Sequence, residues 1–306
     1  FTFARMRLLT FASGSDLPHV GVEVPCSSPA ALLDLTAAYA ADSRSLAGGM
    51  KQLIAEGEGT QEFINVMLNT GLHQLPLASV RVLAPIYDPE KVLCVGMNYR
   101  DHCLEQDFPI PEAPLLFNKF ASSIIGPGED INADPEITSQ LDFEVELVVI
   151  VGRGGRNIAR EQAASHIFGY TIAHDVSARD MQFKSNGGQW LLGKALDTFA
   201  PIGPAIVTRD EMGDAPKVGI RCRVNGVVMQ NSNTRELVHG PADVIAYASR
   251  FMTLKPGDMF LTGTPGGVGC FRKPPIWLKD GDQVDCEIDG IGCITNRVRI
   301  LPAPKL

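Results

Sequence analysis

The chain has 306 residues, of which 45% are hydrophobic and 20% are charged, and its formal net charge is −8. This length suggests two domains with a sizeable buried core, and a single large α/β or β-rich domain is the alternative. The acidic balance, with no basic tract, argues against nucleic acid or an anionic membrane as the main partner. Apolar runs such as residues 147–151 are far shorter than the roughly 20 residues of a transmembrane helix. We predict a soluble globular protein with no nucleic-acid partner and no membrane partner.

The seven cysteines are odd in number and include no C-x-x-C pair. This pattern fits neither a disulfide framework nor a zinc site. No N-x-[ST] glycosylation sequon occurs, and both observations indicate a reducing cellular interior. The chain begins at Phe1 rather than Met, which leaves room for an upstream leader segment.

The elements predicted before residue 85 form a small leading region. Residues 6–11 have the pattern of a strand, residues 29–41 carry apolar residues at helical spacing, and residues 46–69 predict one or two helices. None of the polar residues in this region suggests a site. We predict a small N-terminal α+β region over residues 1–85.

The second region, residues 86–306, alternates short β-rich runs with Gly and Pro turns. Asn225-Gly226 is a strong hairpin signal, because both residues tolerate a positive φ. Helices are predicted at residues 160–168 and 241–251. Strands are predicted at residues 143–151, 170–173, 218–224, 227–230, 259–262, 282–288 and 293–300, and a dense apolar run at residues 91–95 begins the region. Because these runs do not form a regular β-α-β series, we predict an α+β fold with mixed sheets.

Two carboxylates lie inside an apolar run of the second region. Glu144 and Glu146 are two residues apart, so a strand directs both side chains to the same face. Taken alone, the pair also fits a strand with one solvated face. Residues 147–151, however, are apolar on both faces, as in a buried strand. A second acidic motif, with His174 and Asp175, ends another apolar strand.

Buried carboxylates that lie side by side repel each other and are costly unless a cation neutralises them. Together with Asp175, the pair offers three hard oxygen ligands without cysteine, which favours Mg²⁺, Mn²⁺ or Ca²⁺ over zinc. His174 adjoins these residues, but a single histidine beside a metal carboxylate is more often structural, so it is not assigned as a ligand. We predict a metal site at Glu144, Glu146 and Asp175.

The candidate acid–base residues lie in the sequence GMNYRDHCLE of residues 96–105, where Asn98 is a good N-cap for a short helix. His102 and Glu105 are three apart, so they share a helix face and can hydrogen-bond. A carboxylate that holds His in one tautomer makes it a competent general base. The alternative is an exposed pair on a surface helix. Lys194, in an apolar context, either extends to the surface or serves as a buried electrophile.

The order of these motifs resembles the fumarylacetoacetate hydrolase superfamily. The resemblance covers about residues 85–300 and includes six motifs in the family's order. They are GMNYxxHxxE at residues 96–105, Lys119 in LFNKF, EVE at 144–146, DVSARDxQ at 175–182, Lys194, and LTGTPxGVG at 261–269.

This resemblance implies a catalytic domain of mixed β-roll or β-sandwich architecture over residues 86–306, with a smaller N-terminal domain and a homodimeric assembly. It also implies Mg²⁺ or Mn²⁺, with Ca²⁺ as a substitute, at the positions of Glu144, Glu146 and Asp175. Parent hydrolases of the family have a fourth acidic metal ligand, at a position that precedes the mobile lid segment over their active site. No clear equivalent occurs here, so we expect three protein ligands.

The resemblance further implies roles for individual side chains. His102 and Glu105 would form a catalytic dyad on a mobile lid helix, with residues 106–114 setting the shape of the pocket. Lys194 would act with Gln182 to stabilise an enolate or oxyanion. The other implied substrate contacts are Thr264, to the substrate carboxylate, and Arg179 and Lys119, which are alternatively structural ion-pair residues.

Together these residues imply chemistry on a small 2-oxo acid through a metal-bound enolate. Among the reactions that such a site could catalyse, we place oxaloacetate enol–keto tautomerisation first. The alternatives are C–C hydrolysis of β-diketo acids such as fumarylacetoacetate or acylpyruvates, and oxaloacetate decarboxylation. A non-catalytic, metal-stabilised binding protein on the same fold is a further alternative. The resemblance implies the mitochondrial matrix for a eukaryotic chain and the cytoplasm otherwise.

Overall fold

The computed structural model describes residues 6–14 and 17–301. The strands are β1 Arg7–Ala12, β2 His19–Glu23, β3 Ala31–Asp34, β4 Gln74–Pro76, β5 Arg81–Leu83, β6 Val92–Gly96, β7 Leu115–Lys119, β8 Ile124–Ile125, β9 Ile131–Ala133, β10 Leu141–Asp142, β11 Val145–Val151, β12 Ile167–His174, β13 Ser177–Ala178, β14 Ala200–Thr208, β15 Gly219–Val224, β16 Val227–Asn233, β17 Met259–Leu261, β18 Gln283–Ile288 and β19 Gly292–Ile300. The α-helices are α1 Leu35–Ala41, α2 Gly49–Glu56, α3 Gln61–Thr70, α4 Arg100–Glu105, α5 Arg160–Ala163, α6 Arg179–Phe183, α7 Leu191–Lys194, α8 Arg209–Met212 and α9 Pro241–Ser249. None of these described helices is both long and apolar enough to cross a bilayer.

Two mixed sheets dominate the fold. The larger has the order β4-β3-β2-β1-β14-β12-β11-β17-β6-β7, with β5 beside β1 and β8 beside β14. Most of its neighbours are antiparallel, whereas β17 and β6 run parallel. The smaller sheet has the order β16-β15-β18-β19-β9. These mixed sheets confirm the α+β prediction, and β15 and β16 form the hairpin predicted at Asn225-Gly226.

The hydrophobic core lies on both faces of the larger sheet. On one face, Leu147 and Val149 of β11 pack with residues of the smaller sheet such as Ile220. On the other face, Val148 of β11 packs with residues of the N-terminal helices such as Leu53. β11 is therefore buried on both faces, as its continuous apolar run predicts.

The N-terminal strands continue the larger sheet. β1 pairs with β14, with Leu8 opposite Ile206, so residues from before and after position 85 share one sheet and one core. The boundary near residue 85 stays a prediction.

Two helix predictions were wrong in part. Residues 31–34 of the predicted helix at 29–41 form β3, and α1 begins only at Leu35, after Asp34 caps it by accepting from the N–H of Ala37. The helix predicted at 160–168 ends at Ala163. The apolar residues after it instead enter β12, where Ile167 pairs with Val151. In both places backbone pairing in the sheet overrides the helical periodicity.

Candidate active site

Three carboxylates meet where β11 begins and β12 ends. Glu144 and Glu146 point to one side because side chains alternate along an extended chain. Asp175 directly follows β12, which pairs with β11 so that His174 lies opposite Val145. Ligand oxygens of the three carboxylates lie within 4.8 Å of one another, and all three residues are buried. The structure therefore brings together the three predicted metal-binding residues, and this cluster could hold a metal ion.

Buried cations surround the carboxylates. The Lys194 ammonium lies 2.7 Å from Glu144 Oε2 and 2.9 Å from Asp175 Oδ2. Arg179 Nη2 donates to Glu144 Oε1 at 2.6 Å. On the far side, the Lys119 ammonium lies 2.7 Å from Asp175 Oδ1. Lys194 is 2% exposed, so of its two predicted alternatives the structure has the buried one.

These neighbours give the carboxylates different acidities. Burial favours a neutral Glu144, but Lys194 and Arg179 outweigh it and lower the pKa of Glu144 to about 2. Burial opposes the charge of Lys194 as well, yet Asp175 and Glu144 raise its pKa, so it remains an ammonium. Glu146 differs, because burial and then the nearby Asp175 and Glu144 raise its pKa well above the usual value.

Glu146 is the least satisfied of the three carboxylates. Among the described residues, the N–H of Gly263 donates to it at 2.7 Å. Gly263 has a φ of +98°, and a Cβ at this position would lie 2.9 Å from the Val95 carbonyl oxygen, so only glycine fits without strain. The Gly-rich loop thus supplies one backbone donor and leaves room beside Glu146 for a cation.

Asp142 is a fourth buried carboxylate, which the sequence prediction missed. It accepts from Arg179 Nε at 2.8 Å and from the N–H groups of Gly269 and Cys270 at 2.7 and 3.0 Å. Asp142 therefore holds both Arg179 and the Gly-rich loop in place. The available signal was the two-residue alternation at positions 142, 144 and 146.

The predicted His–Glu pair forms on α4. His102 is buried, and its Nδ1 lies 3.1 Å from Glu105 Oε1. Its Nε2 lies 2.9 Å from Nε2 of Gln106, a contact that the sequence prediction missed.

Asn98 does not cap this helix as predicted. Its side-chain amide instead donates to the carbonyls of His239 and Thr262, which orders the loop before α4.

The remaining predicted substrate contacts have specific protein partners. Gln182 Oε1 accepts from Arg179 Nη1 at 2.9 Å. The Thr264 hydroxyl donates to the Val145 carbonyl at 2.9 Å and accepts from a side-chain amide at 2.8 Å. Lys119 Nζ also donates to backbone carbonyls, including that of Phe199 at 2.7 Å. In this arrangement Thr264 can only accept a further hydrogen bond.

A small cavity of about 40 Å³, which is partly open to solvent, gives access to this site. Glu144, Glu146, His102 and Lys194 line it, as do Gln182 and Thr264. Gln106 and the aromatic rings of Phe117, Trp190 and Phe271 form further parts of its wall. Lys119 is not among the described residues that line this cavity. Charged and polar groups that converge on one small cavity are typical of a site for a small molecule rather than a polymer.

Comparisons with known proteins agree with this geometry. The family model described as fumarylacetoacetate (FAA) hydrolase C-terminal matches residues 91–299. A Xenopus laevis relative, "oxaloacetate tautomerase fahd2, mitochondrial", is 51% identical over 96% of this chain and 90% of its own length. The human "oxaloacetate tautomerase FAHD2A, mitochondrial" is 47% identical over 96% of this chain and 91% of its own length.

A solved structure is similar over nearly the whole chain as well. The fumarylacetoacetate hydrolase from psychrophilic Exiguobacterium antarcticum is 37% identical and superposes with a TM-score of 0.82, covering 97% of this chain and 100% of that one. The fold and the buried acidic cavity thus define a fumarylacetoacetate hydrolase-type enzyme. This chain belongs to the fumarylacetoacetate hydrolase family, which confirms the resemblance read from its motifs.

Proposed function

We propose that this chain is a divalent-metal-dependent oxaloacetate tautomerase, which interconverts the enol and keto forms of that small 2-oxo dicarboxylic acid. Two relatives that match 96% of the chain carry this name. The observation that carries the proposal is the cavity, where Glu144, Glu146, Lys194 and His102 all line one small volume.

The carboxylate cluster fits a hard divalent cation held by Glu144, Glu146 and Asp175. These three and Asp142 are four buried carboxylates against three buried cations, so their fully ionised form carries one excess negative charge that a bound cation would offset. Oxygen ligands alone favour Mg²⁺ or Mn²⁺, with Ca²⁺ as a substitute. When bound, such an ion withdraws electron density from the 2-oxo and carboxylate oxygens and lowers the cost of forming an enolate.

Lys194 and Gln182 supply hydrogen-bond donors for the developing negative charge. Lys194 stays protonated because its pKa is raised, so it stabilises an enolate oxygen as a fixed ammonium. Gln182 uses its carbonyl oxygen for Arg179, which leaves its NH₂ group to donate to the substrate. Arg179 and Lys119 act through these partners, as residues that position the site. The Thr264 hydroxyl already donates to the Val145 carbonyl, so the predicted contact with a substrate carboxylate requires that this hydrogen bond be exchanged.

The His102–Glu105 pair moves the proton. Glu105 holds Nδ1 of the imidazole, so Nε2 is the nitrogen that exchanges a proton with the substrate. Nε2 takes the enol O–H proton, and the same imidazole returns a proton to the adjacent carbon. No water is consumed in this sequence, in contrast to C–C hydrolysis, where a base must deprotonate water.

The main alternative is a C–C hydrolase of β-diketo acids, because a protein named fumarylacetoacetate hydrolase is 37% identical and shares the fold. Decarboxylation of oxaloacetate would use the same enolate. A binding protein without catalysis is disfavoured, because the chain retains the three clustered carboxylates, the His–Glu pair and the buried Lys194.

The experiment follows the decay of enol-oxaloacetate absorbance in the ultraviolet, with malate dehydrogenase to count keto product. We expect metal-dependent acceleration that EDTA removes. Lys194→Met should lower the rate by about 10²–10³-fold, and His102→Ala by about 10²–10⁴-fold. Lys184→Met, the same change at an exposed lysine, should leave it unchanged.

A panel of acylpyruvates and fumarylacetoacetate completes this test. Rapid cleavage of these substrates without faster oxaloacetate tautomerisation would replace the proposed activity by C–C hydrolysis. Release of CO₂ from oxaloacetate at the rate of enol decay would instead identify a decarboxylase.

The setting of the enzyme is part of the proposal. We infer a homodimer, as the family resemblance implies, and the mitochondrial matrix for a eukaryotic chain, because the relatives are named mitochondrial. For a prokaryotic chain the corresponding compartment is the cytoplasm. Sedimentation of the purified chain tests the assembly, and imaging of the tagged natural protein tests the compartment.

A further inference from the structure

Both ring nitrogens of His102 are engaged, although catalysis needs one of them free. Glu105 Oε1 lies 3.1 Å from Nδ1, and Nε2 of Gln106 lies 2.9 Å from Nε2 of the imidazole. Gln106 is the residue at the C-terminal end of α4, and its side chain lines the same cavity as His102. Gln106 therefore contacts the nitrogen that faces the chemistry.

The hydrogen-bond partners determine where the imidazole proton lies. A carboxylate can only accept, so Nδ1 carries the proton. An amide NH₂ can only donate, so Nε2 of His102 carries the lone pair. This pattern is compatible with one neutral tautomer and incompatible with an imidazolium, whose second N–H would meet the amide N–H.

Other acceptors fix the orientation of the Gln106 amide. Its Nε2 also lies 3.4 Å from Sδ of Met97 and 3.3 Å from the carbonyl oxygen of His102. Both partners accept hydrogen bonds, so the NH₂ group and not the carbonyl oxygen belongs on this side. Glu105 is held as well, since its second oxygen accepts from the N–H of Gly267 at 2.6 Å. The tautomer is thus set from both sides of the ring.

We propose that Gln106 is a positioning residue that engages the Nε2 lone pair of His102, restrains proton abstraction from water, and so favours isomerisation over hydrolysis. This inference rests on the proposed function, because it concerns the choice between two outcomes at the same cavity.

The two reactions make different demands on Nε2. In hydrolysis Nε2 must take a proton from water, the hydroxide adds to the carbonyl carbon, and the C–C bond then breaks with its electron pair going to the enolate. Water is a weak acid and competes poorly with the amide N–H for the lone pair. An enol O–H is a much stronger acid, so it displaces the amide, gives its proton to Nε2, and the proton then passes to carbon.

The test compares wild type with Gln106→Met, which keeps an unbranched side chain of similar length but removes the donor. Gln106→Glu is the second variant, because a carboxylate accepts and should draw a proton onto Nε2. Gln162→Met makes the same change at an exposed glutamine on α5 and serves as the matched control.

The first measurement is spectroscopic and independent of activity. Long-range ¹H–¹⁵N spectra of histidine-labelled protein distinguish protonated from unprotonated ring nitrogens, and His102→Ala assigns the signals. We expect Nδ1–H with bare Nε2 in wild type and in Gln162→Met, a tautomer mixture in Gln106→Met, and Nε2–H in Gln106→Glu. A wild-type proton on Nε2, or an unchanged spectrum in Gln106→Met and Gln106→Glu, would overturn the proposal.

The second measurement is the ratio of acylpyruvate hydrolysis to oxaloacetate tautomerisation. Loss of one hydrogen bond to Nε2 should raise this ratio in Gln106→Met by about tenfold. An unchanged ratio would contradict the effect on reaction choice. If wild type fails to accelerate tautomerisation, the proposed function fails, while the spectra still decide whether Gln106 sets the tautomer.

Discussion

The protonation of the buried carboxylate Glu146 should make the stability of the folded chain depend on pH and on a bound metal. Its folded-state pKa is raised by burial and by Asp175 and Glu144. In the metal-free folded chain, Glu146 therefore keeps its proton to a higher pH than it does in the unfolded chain. Stability from this group is fully present below the unfolded pKa and is lost as the pH rises through the folded pKa.

The change Glu146→Gln tests this account, because an amide imitates the protonated carboxyl group. In EDTA we expect the variant to be at least as stable as wild type, with a difference that grows with pH by up to about 1.4 kcal/mol per unit. With Mg²⁺, wild type should gain about 2.7 kcal/mol at 100 times its Kd, and the variant should gain little. Chemical denaturation at several pH values measures both effects.

Metal binding must displace the proton from Glu146, so stabilisation by Mg²⁺ should increase as the pH rises. Glu161→Gln, at an exposed position on α5, is the control for loss of one carboxylate. A variant that is much less stable than wild type in EDTA at high pH would argue that Glu146 is ionised and satisfied by protein groups alone.

Local spacing rules predict part of this site, and the resemblance to the family supplies other residues, such as Gln182 and Thr264. Glu144 and Glu146 follow from strand alternation, and His102 with Glu105 from the helical repeat. The hydrogen bond between Asp142 and Arg179 joins residues 37 apart. No local rule gives such a pairing, and the roles assigned to the individual residues remain predictions.

Helix α4 depends on contacts outside itself. It has six residues, too few for a stable isolated helix in water. Asp101 at its start accepts from the Ser232 hydroxyl at 2.5 Å and from the N–H of Gly266 at 3.4 Å. Glu105 at its end accepts from the Gly267 N–H. The helix that carries His102 is therefore docked on the Gly-rich loop by two carboxylates.

Asp101→Asn should weaken this docking. We expect the amides of residues 100–105 to exchange hydrogen faster and KM to rise by about tenfold, because about 1.4 kcal/mol of charge-assisted hydrogen bonding is lost. The change in kcat should be smaller, since the helix can still dock on bound substrate. Asp42→Asn, at an exposed residue of the N-terminal region, should change neither quantity. Unchanged exchange in Asp101→Asn would mean that Glu105 alone holds the helix.

Sequence patterns predicted elements well where one period dominates and poorly where two compete. The strand predicted at 143–151 was correct in type, because its β-branched residues and its burial on both faces both favour a strand. At 29–41 and 160–168 the apolar residues follow a helical spacing, but part of each segment forms a strand because it pairs with another strand of the sheet. Tertiary pairing of this kind has no signature within the segment itself.

The larger sheet makes the N-terminal strands and the family-matching region interdependent. β1 pairs with β14, and Leu8, Leu33 and Leu53 share a buried cluster with Ile206 and Leu261. Wherever a domain boundary is drawn, unfolding one part would expose apolar surface of the other, at about 25 cal/mol per Å². The interface therefore couples the two parts energetically.

We predict that the full chain unfolds in a single transition. Both tryptophans, Trp190 and Trp277, lie after residue 85, whereas Cys26 is an exposed cysteine before it. Tryptophan fluorescence and a dye on Cys26, in a Cys293→Ser background that removes the other exposed thiol, should give the same midpoint. A fragment of residues 86–306 should aggregate or bind a hydrophobic dye, because one face of its sheet loses its cover. Two separate midpoints together with a soluble fragment of residues 86–306 would instead indicate two domains that fold independently.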